Sequence, residues 1–376
     1  MKIGFDAKRL YNNFTGLGNY SRNLLLNLAE FFPRNEYVLY TSKVEKRPET
    51  EEILENPAFD THFPNSRLNM LWRSFGLPAQ LRKEGIELYH GLSNEIPSGI
   101  KDVKTVVTIH DLIYKIYPQT YSTADRLIYD TKFAYACKHA DAIVAISETT
   151  RNDIIRFYGI PEEKISVIYQ SCHPMYYTRQ TQAQLDEVRV RLELPKQFML
   201  SVGSVIERKN LMLVAEALRV LRGRIDVPLI VVGSGGKYKD KVQEYLLRNN
   251  LHGQVIWMSN LSDNSDLQAL YQLASVFVYP SRYEGFGIPV AEALLSGTPV
   301  ITSNVSCLPE AAGPHAELID PDSPTDLAAA IYRLLNDDAL RKLRSESGLK
   351  YALRKYDRKK LTTQLMNVYK EVRIKK

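Results

Sequence analysis

The chain has 376 residues, 44% hydrophobic and 24% charged, an ordinary globular composition that is long for one core and comfortable for two. No apolar run reaches the ~18 residues of a membrane-spanning helix, and the start lacks the long apolar stretch of a secretory signal, so a cytoplasmic, reducing location is expected. The net charge of +6 is too mild to imply a nucleic-acid partner, and Cys137, Cys172 and Cys307 are too scattered for a zinc site and read as free thiols.

Along the chain, short β-branched runs alternate with longer helical patterns, as in parallel sheets built from strand–helix–strand units. Strands are predicted at Lys2–Ala7, Tyr37–Thr41, Leu88–His90, Thr105–His110 and Ala142–Ile146. The stretch Gly18–Phe32 places Leu24, Leu25, Leu28 and Phe31 on one helical face. Residues 173–195 carry neither pattern and form the expected connection between a first domain, 1–172, and a second, 196–356. The second strand series comprises Phe198–Gly203, Leu229–Gly233, Val255–Met258, Val276–Tyr279 and Val300–Thr302, with helices at Leu267–Leu273 and Thr325–Leu335. The expected fold is α/β: two doubly wound domains facing across a cleft, with ligands beyond the carboxyl ends of the strands.

Loops leaving those strands hold the candidate chemistry. After Val276–Tyr279 comes Glu284-Gly285-Phe286-Gly287-Ile288-Pro289, then a helix containing Glu292 and ending at Gly297. Gly285 and Gly287 let backbone approach a ligand, and the helix start offers free N–H groups to phosphate. Pro289 suits the first helical position, and Gly297 a left-handed stop. Glu292 on an apolar helix either complements the helix dipole or, the reading preferred here, joins Glu284 in binding sugar hydroxyls. After Phe198–Gly203, Arg208 and Lys209 are either a solvated pair or a diphosphate clamp. In the first half, Gly16 and Gly18 form a loop able to approach phosphate, though a poor dinucleotide fingerprint. His110, at a strand's carboxyl end, is a candidate contact residue. Asp320-Pro321-Asp322 formally matches a metal-binding D-x-D pattern but reads better as an Asx turn, so no metal is expected.

With these residues in view, the chain resembles a retaining GT-B glycosyltransferase of family four, which includes bacterial mannosyltransferases. The likeness rests on Glu284-Gly-Phe-Gly-Ile-Pro…Glu292, Tyr271 through Pro280, Leu308 through Gly313 and Ser147-Glu148. It implies that Glu284 and the backbone of Gly285, Phe286 and Gly287 hold the donor sugar, and Glu292 the ribose. Arg208 and Lys209, beside Gly203, would hold the pyrophosphate, with Gly16 and Gly18 approaching it and His110 touching the transferred sugar. It also implies a final helix, 357–376, returning to the first domain, and hexose transfer with retained configuration and without metal. The donor it implies is a nucleotide sugar, with GDP-mannose favoured, and the acceptor a glycan or lipid-linked hydroxyl in bacterial surface polysaccharide synthesis. Asn19, Ser171-Cys172-His173 and Ser259 depart from the family pattern. A sugar-nucleotide epimerase, an NAD-dependent oxidoreductase and a silent binding protein are the alternatives.

Two segments bear on a membrane partner. Residues 341–376 carry 13 Lys or Arg against three acids, a local +10. Arg67 through Phe75 is either a packed helix or, with Trp72 and Phe75 exposed, a wedge for a lipid interface.

Overall fold

A computed structural model describes residues 1–64, 72–259, 261 and 264–374, without the side chains of Ser74, Phe75 and Asn264. The chain divides into two compact units, residues 1–171 with 357–376, and residues 172–356. Each is built on a parallel sheet with helices in its connections, so the α/β, doubly wound expectation holds.

In the first unit the strands are β1 (Lys2–Asp6), β2 (Glu36–Tyr40), β3 (Phe59–His62), β4 (Leu88–Gly91), β5 (Lys104–Ile109), β6 (Ala142–Ala145) and β7 (Ile165–Val167), in the order β3-β2-β1-β4-β5-β6-β7. In the second they are β8 (Met199–Val202), β9 (Leu229–Val232), β10 (Val255–Met258), β11 (Val276–Tyr279), β12 (Val300–Ser303) and β13 (Glu317–Ile319), in the order β10-β9-β8-β11-β12-β13. Central strands covered by helices on both faces must be apolar along their whole length. Accordingly Val276 through Tyr279 are all buried, as are Thr105 through Ile109.

Both orders reverse once, between β1 and β4 and between β8 and β11. At such a reversal the two outgoing loops diverge and leave a crevice at the carboxyl ends. The topology thus brings the loop after β8, with Arg208 and Lys209, beside the loop after β11, with Glu284.

The last helix, Arg358–Ile374, belongs to the first unit. Its Leu361, Leu365, Met366, Tyr369 and Val372 pack into the core that holds Ile3, Phe5, Leu25 and Leu28. Arg358 Nε donates to Asn27 Oδ1 at 2.8 Å, and the Tyr369 hydroxyl lies 2.5 Å from His90 Nδ1.

Several expectations need correction. Strands β3, β7 and β13 were not anticipated; each is an edge strand of three or four residues. Of the two readings of residues 67–75, packing rather than a wedge holds at Trp72, which is only 5% exposed. A π-helical turn at Trp72–Gly76 tucks its ring among Val38, Tyr40, Leu77 and Leu81, and its Nε1 donates to Gln80 Oε1 at 2.9 Å. Arg73 pairs with Asp6 and with Glu95, which removes it from any lipid surface. Arg67 through Leu71, and the Phe75 side chain, lie outside the described residues. Among the described residues no helix is long and apolar enough to cross a membrane.

Candidate functional site

In the second unit, hydrogen bonds hold the loops after β8 and β11 together. Arg282 N donates to Arg208 O at 2.8 Å, and Ser281 Oγ lies 3.1 Å from the same carbonyl. Asn210 adopts a left-handed conformation, with φ of 59°, and its Nδ2 reaches Pro280 O at 3.2 Å and Pro321 O at 2.8 Å. The loops are therefore one unit of structure, which fixes the two cations against the carboxylate.

Glu284 lies at the centre. Its Oε2 is 2.8 Å from Arg208 Nη1. Its Oε1 accepts from Tyr279 Oη at 2.9 Å and from Ser281 Oγ at 2.9 Å. Lys209 Nζ donates to Tyr279 Oη at 2.9 Å and stands 4.0 Å from Glu284 Oε1. Burial by itself would raise the Glu284 pKa, but Lys209, Arg208 and the Ser281 hydroxyl outweigh it and hold the carboxyl below its usual range. Burial pulls Lys209 down from its ordinary value, against the attraction of Glu284. Two cations thus surround one ionised carboxylate, which leaves the cluster with a positive surplus.

Glycine geometry opens the same place. Gly203 has φ of 130°, a conformation that side-chain-bearing residues rarely adopt, and a Cβ there would push Lys209 Nζ, 2.6 Å away, out of place. Gly287, φ 93°, caps the helix Ile288–Leu295, so that Ile288 takes the first helical position and Pro289, one place later than expected, the second. Gly297 ends that helix with φ 71°. Phe286 is buried and stacks edge-on against Tyr356 at 5.6 Å, so it offers a ligand only its backbone.

Glu292, one turn into the helix, accepts from Tyr271 Oη at 3.0 Å. Burial raises its pKa to about 7, opposed by Tyr271 and by the charge of Lys209. At neutral pH this carboxyl is poised between its two forms. Asp320 is the acceptor of an Asx turn, taking Asp322 N–H at 2.8 Å, while Asp322 pairs with Arg282. Among the described residues no cluster of three His, Cys, Asp or Glu could hold a metal ion.

In the first unit, Gly16 and Gly18 open the helix Gly16–Phe31. A Cβ on Gly18 would meet Asn13 O at 1.7 Å, whereas one on Gly16 would meet open space. Gly18 therefore serves local packing, and Gly16 presents bare backbone. His110 follows β5 and is 4% exposed. Its Nε2 lies 2.8 Å from Leu92 O, and Gln170 Nε2 donates to its Nδ1 at 3.2 Å. Those partners fix the neutral tautomer with the proton on Nε2. Burial lowers the pKa to about 4, against the Leu92 bond.

Sequence reasoning missed Tyr271, Tyr279 and Ser281 as partners of the two glutamates. The available signal was the polar end of an otherwise apolar central strand, Tyr279-Pro280-Ser281.

Residues 14–172 match the family described as Glycosyltransferase Family 4, and residues 184–351 that of Glycosyl transferases group 1. The chain is 30% identical to the O-antigen chain mannosyltransferase B of Escherichia coli, over 98% of this chain and 100% of that protein. It is 29% identical to the serotype-specific mannosyltransferase WbdA of Escherichia coli over 66% of this chain, a match that spans 32% of that larger protein. The Anabaena protein HepE, solved in complex with UDP and glucose, superposes with a TM-score of 0.78 at 18% identity, covering 99% of this chain and 100% of that one. With both halves matched in order and a full-length relative at this identity, the chain belongs to glycosyltransferase family 4 and has the two-domain GT-B fold.

Proposed function

We propose that this glycosyltransferase moves a mannosyl residue from GDP-mannose to an acceptor hydroxyl, with retention of anomeric configuration and without a metal ion. The observation that carries the proposal is the positive surplus of the Arg208–Lys209–Glu284 cluster at the β8/β11 reversal. Such a site favours an anion, and a departing nucleoside diphosphate is the anion that forms in sugar transfer. Mannose is favoured by what the Escherichia coli relatives transfer, as their names state; HepE, solved with UDP, keeps a uridine donor as the rival.

In this reading Arg208, Lys209 and the N–H of Ile288 at the helix start neutralise charge growing on the leaving diphosphate; Pro289 has no N–H, and those of Val290 and Ala291 donate to Gly287 O. Glu284 and the backbone of Gly285, Phe286 and Gly287 orient the sugar, and Glu292 accepts from ribose hydroxyls. Gly203 gives the phosphates room, and Gly16 brings bare backbone towards them, with Gly18 setting the loop. His110 contacts the transferred sugar, which requires Gln170 to release Nδ1 or the ring to meet the sugar at its edge. The acceptor is a glycan or lipid-linked hydroxyl of a bacterial surface polysaccharide, reached at the inner face of the membrane. Lys342, Lys350 and Arg354, exposed beside Leu343 and Leu353, supply the basic and apolar surface for anionic lipid.

A thermal-shift screen of GDP-, UDP- and dTDP-sugars, followed by NMR of the product linkage, tests this. Stabilisation by GDP-mannose, and an α-linked product formed equally well in EDTA, are expected. An inverted product, or activity lost in EDTA and restored by manganese, would overturn retention or metal independence respectively.

A further inference from the structure

The Tyr279 hydroxyl stands between two opposite charges. Lys209 Nζ is 2.9 Å from it, and it is 2.9 Å from Glu284 Oε1, while the ammonium and the carboxylate are 4.0 Å apart. An ammonium has no lone pair, so it must be the donor to the phenol oxygen, and the phenol proton must go to the carboxylate. Burial and the nearby Glu284 hold the Tyr279 pKa well above its ordinary value, so this bridge is neutral. Ser281 supplies a second donor to Oε1, and Arg208 occupies Oε2. Lys209 and Tyr279 both border a small cavity lined also by Ser201, Gly203 and Ser204, where residue 203 has no side chain to intrude.

We infer that the Tyr279 hydroxyl is a spacer that keeps Lys209 from pairing directly with Glu284 and so leaves the ammonium available to a diphosphate. The inference rests on the donor-site reading above and adds a positioning residue to it. In a site with little water, opposite charges 4.0 Å apart attract strongly. Without the hydroxyl, Lys209 loses its neutral partner and Glu284 one of its donors. The relaxation open to both is a direct ion pair. An incoming diphosphate must then break that pair to gain the same cation.

The test is calorimetric binding of GDP, UDP and inorganic pyrophosphate to the full chain, alongside thermal unfolding without ligand. In Tyr279→Phe, affinity for GDP and for pyrophosphate is expected to fall about tenfold, the scale of one charged hydrogen bond. Unfolding of the ligand-free variant should occur at an unchanged or higher temperature, because a new ion pair has formed. The double variant Tyr279→Phe/Glu284→Gln removes the charge that captures Lys209, so its pyrophosphate affinity should recover relative to Tyr279→Phe. A merely structural tyrosine would instead lower the unfolding temperature, with no recovery in the double variant. That result, or a Tyr279→Phe protein that binds pyrophosphate as tightly as wild type, would overturn the spacer role. Failure of the wild type to bind any of the three ligands would overturn the donor-site reading itself.

Discussion

The two sheets share one winding, yet their carboxyl ends are built from different materials. In the first unit, neutral groups close on one another at the ends of β4 and β5. His90 bridges Tyr369 at 2.5 Å and Thr108 at 2.8 Å, and Tyr20 meets Thr108 at 2.9 Å. His110 bonds Leu92 and Gln170. Asp6, at the end of β1, is matched by Arg73. In the second unit Arg208 pairs with the ionised Glu284, while Lys209 stands 4.0 Å from it and reaches it through the Tyr279 hydroxyl. A network closed on itself contributes rigidity, whereas one with surplus charge still favours a counter-ion. The same topological position is therefore closed on itself in one unit and carries surplus charge in the other.

The sharpest way to break this contrast is to remove the charges. Arg208→Ala/Lys209→Ala should lower turnover by about a thousandfold, the scale of losing electrostatic stabilisation in a transition state. Stability should fall as well, because the buried Glu284 loses the cations that keep it ionised, but by far less than turnover. Turnover within a few-fold of wild type would mean that the second unit's cluster is also closed on itself.

Acid should separate the units in the opposite direction. Burial lowers His110 to about 4 and, with the neighbouring His110 charge, His90 to about 3, from a usual 6.5. Between those values the unfolded chain binds protons that the folded unit refuses. The first unit therefore loses stability as pH falls from 6.5, by roughly 3 kcal/mol for each histidine near pH 4. Glu292, raised from 4.5 to about 7, behaves in reverse: the folded unit takes its proton first, so this carboxyl adds stability as pH falls from 7 to 4.5. Hydrogen exchange against pH should show protection fading first in the first unit. Simultaneous loss in both would contradict the assignment.

Glu292→Ala should weaken GDP-mannose binding by ~1–3 kcal/mol, the scale of a lost charged hydrogen bond, while Glu292→Gln should flatten any change in affinity near pH 7. Unchanged affinity in calorimetry would remove Glu292 from the ribose. The smallest expected effect belongs to the closed network: Tyr369→Phe should cost about 1 kcal/mol of first-unit stability, seen in urea unfolding, with donor affinity unchanged.

What could be read from sequence follows from the same physics. Central strands announced themselves because burial on both faces demands unbroken apolar runs, as in Val276-Phe277-Val278-Tyr279. The edge strands β3 and β7 did not: Phe59-Asp60-Thr61-His62 is polar and half-exposed, and Ile165-Ser166-Val167 has only three residues, whereas the edge Val255-Ile256-Trp257-Met258 is apolar and could be read. Family membership and the GT-B fold were legible from the glutamate loop and its neighbours. The wiring of that loop was not, because the meeting of Lys209 with Tyr279 depends on β8 lying next to β11. Nor did Trp72 reveal its burial, since the π-helical turn that turns it inward has no sequence signature of its own.

The return of the last helix to the first unit also shapes how the chain is made. Residues 1–171 leave the ribosome long before Arg358–Ile374, whose apolar face fills the core around Ile3, Phe5 and Leu28. At synthesis rates of about 5–20 residues per second, the intervening segment takes roughly 10–40 s. Throughout that interval the nascent first unit displays the groove meant for Leu361, Leu365 and Met366. The second unit, by contrast, is continuous from Cys172 to Tyr356 and can close as soon as it has emerged. The half translated first is thus the half completed last, and a ribosome stalled before codon 358 would release a chain with an open core that invites chaperones or aggregation.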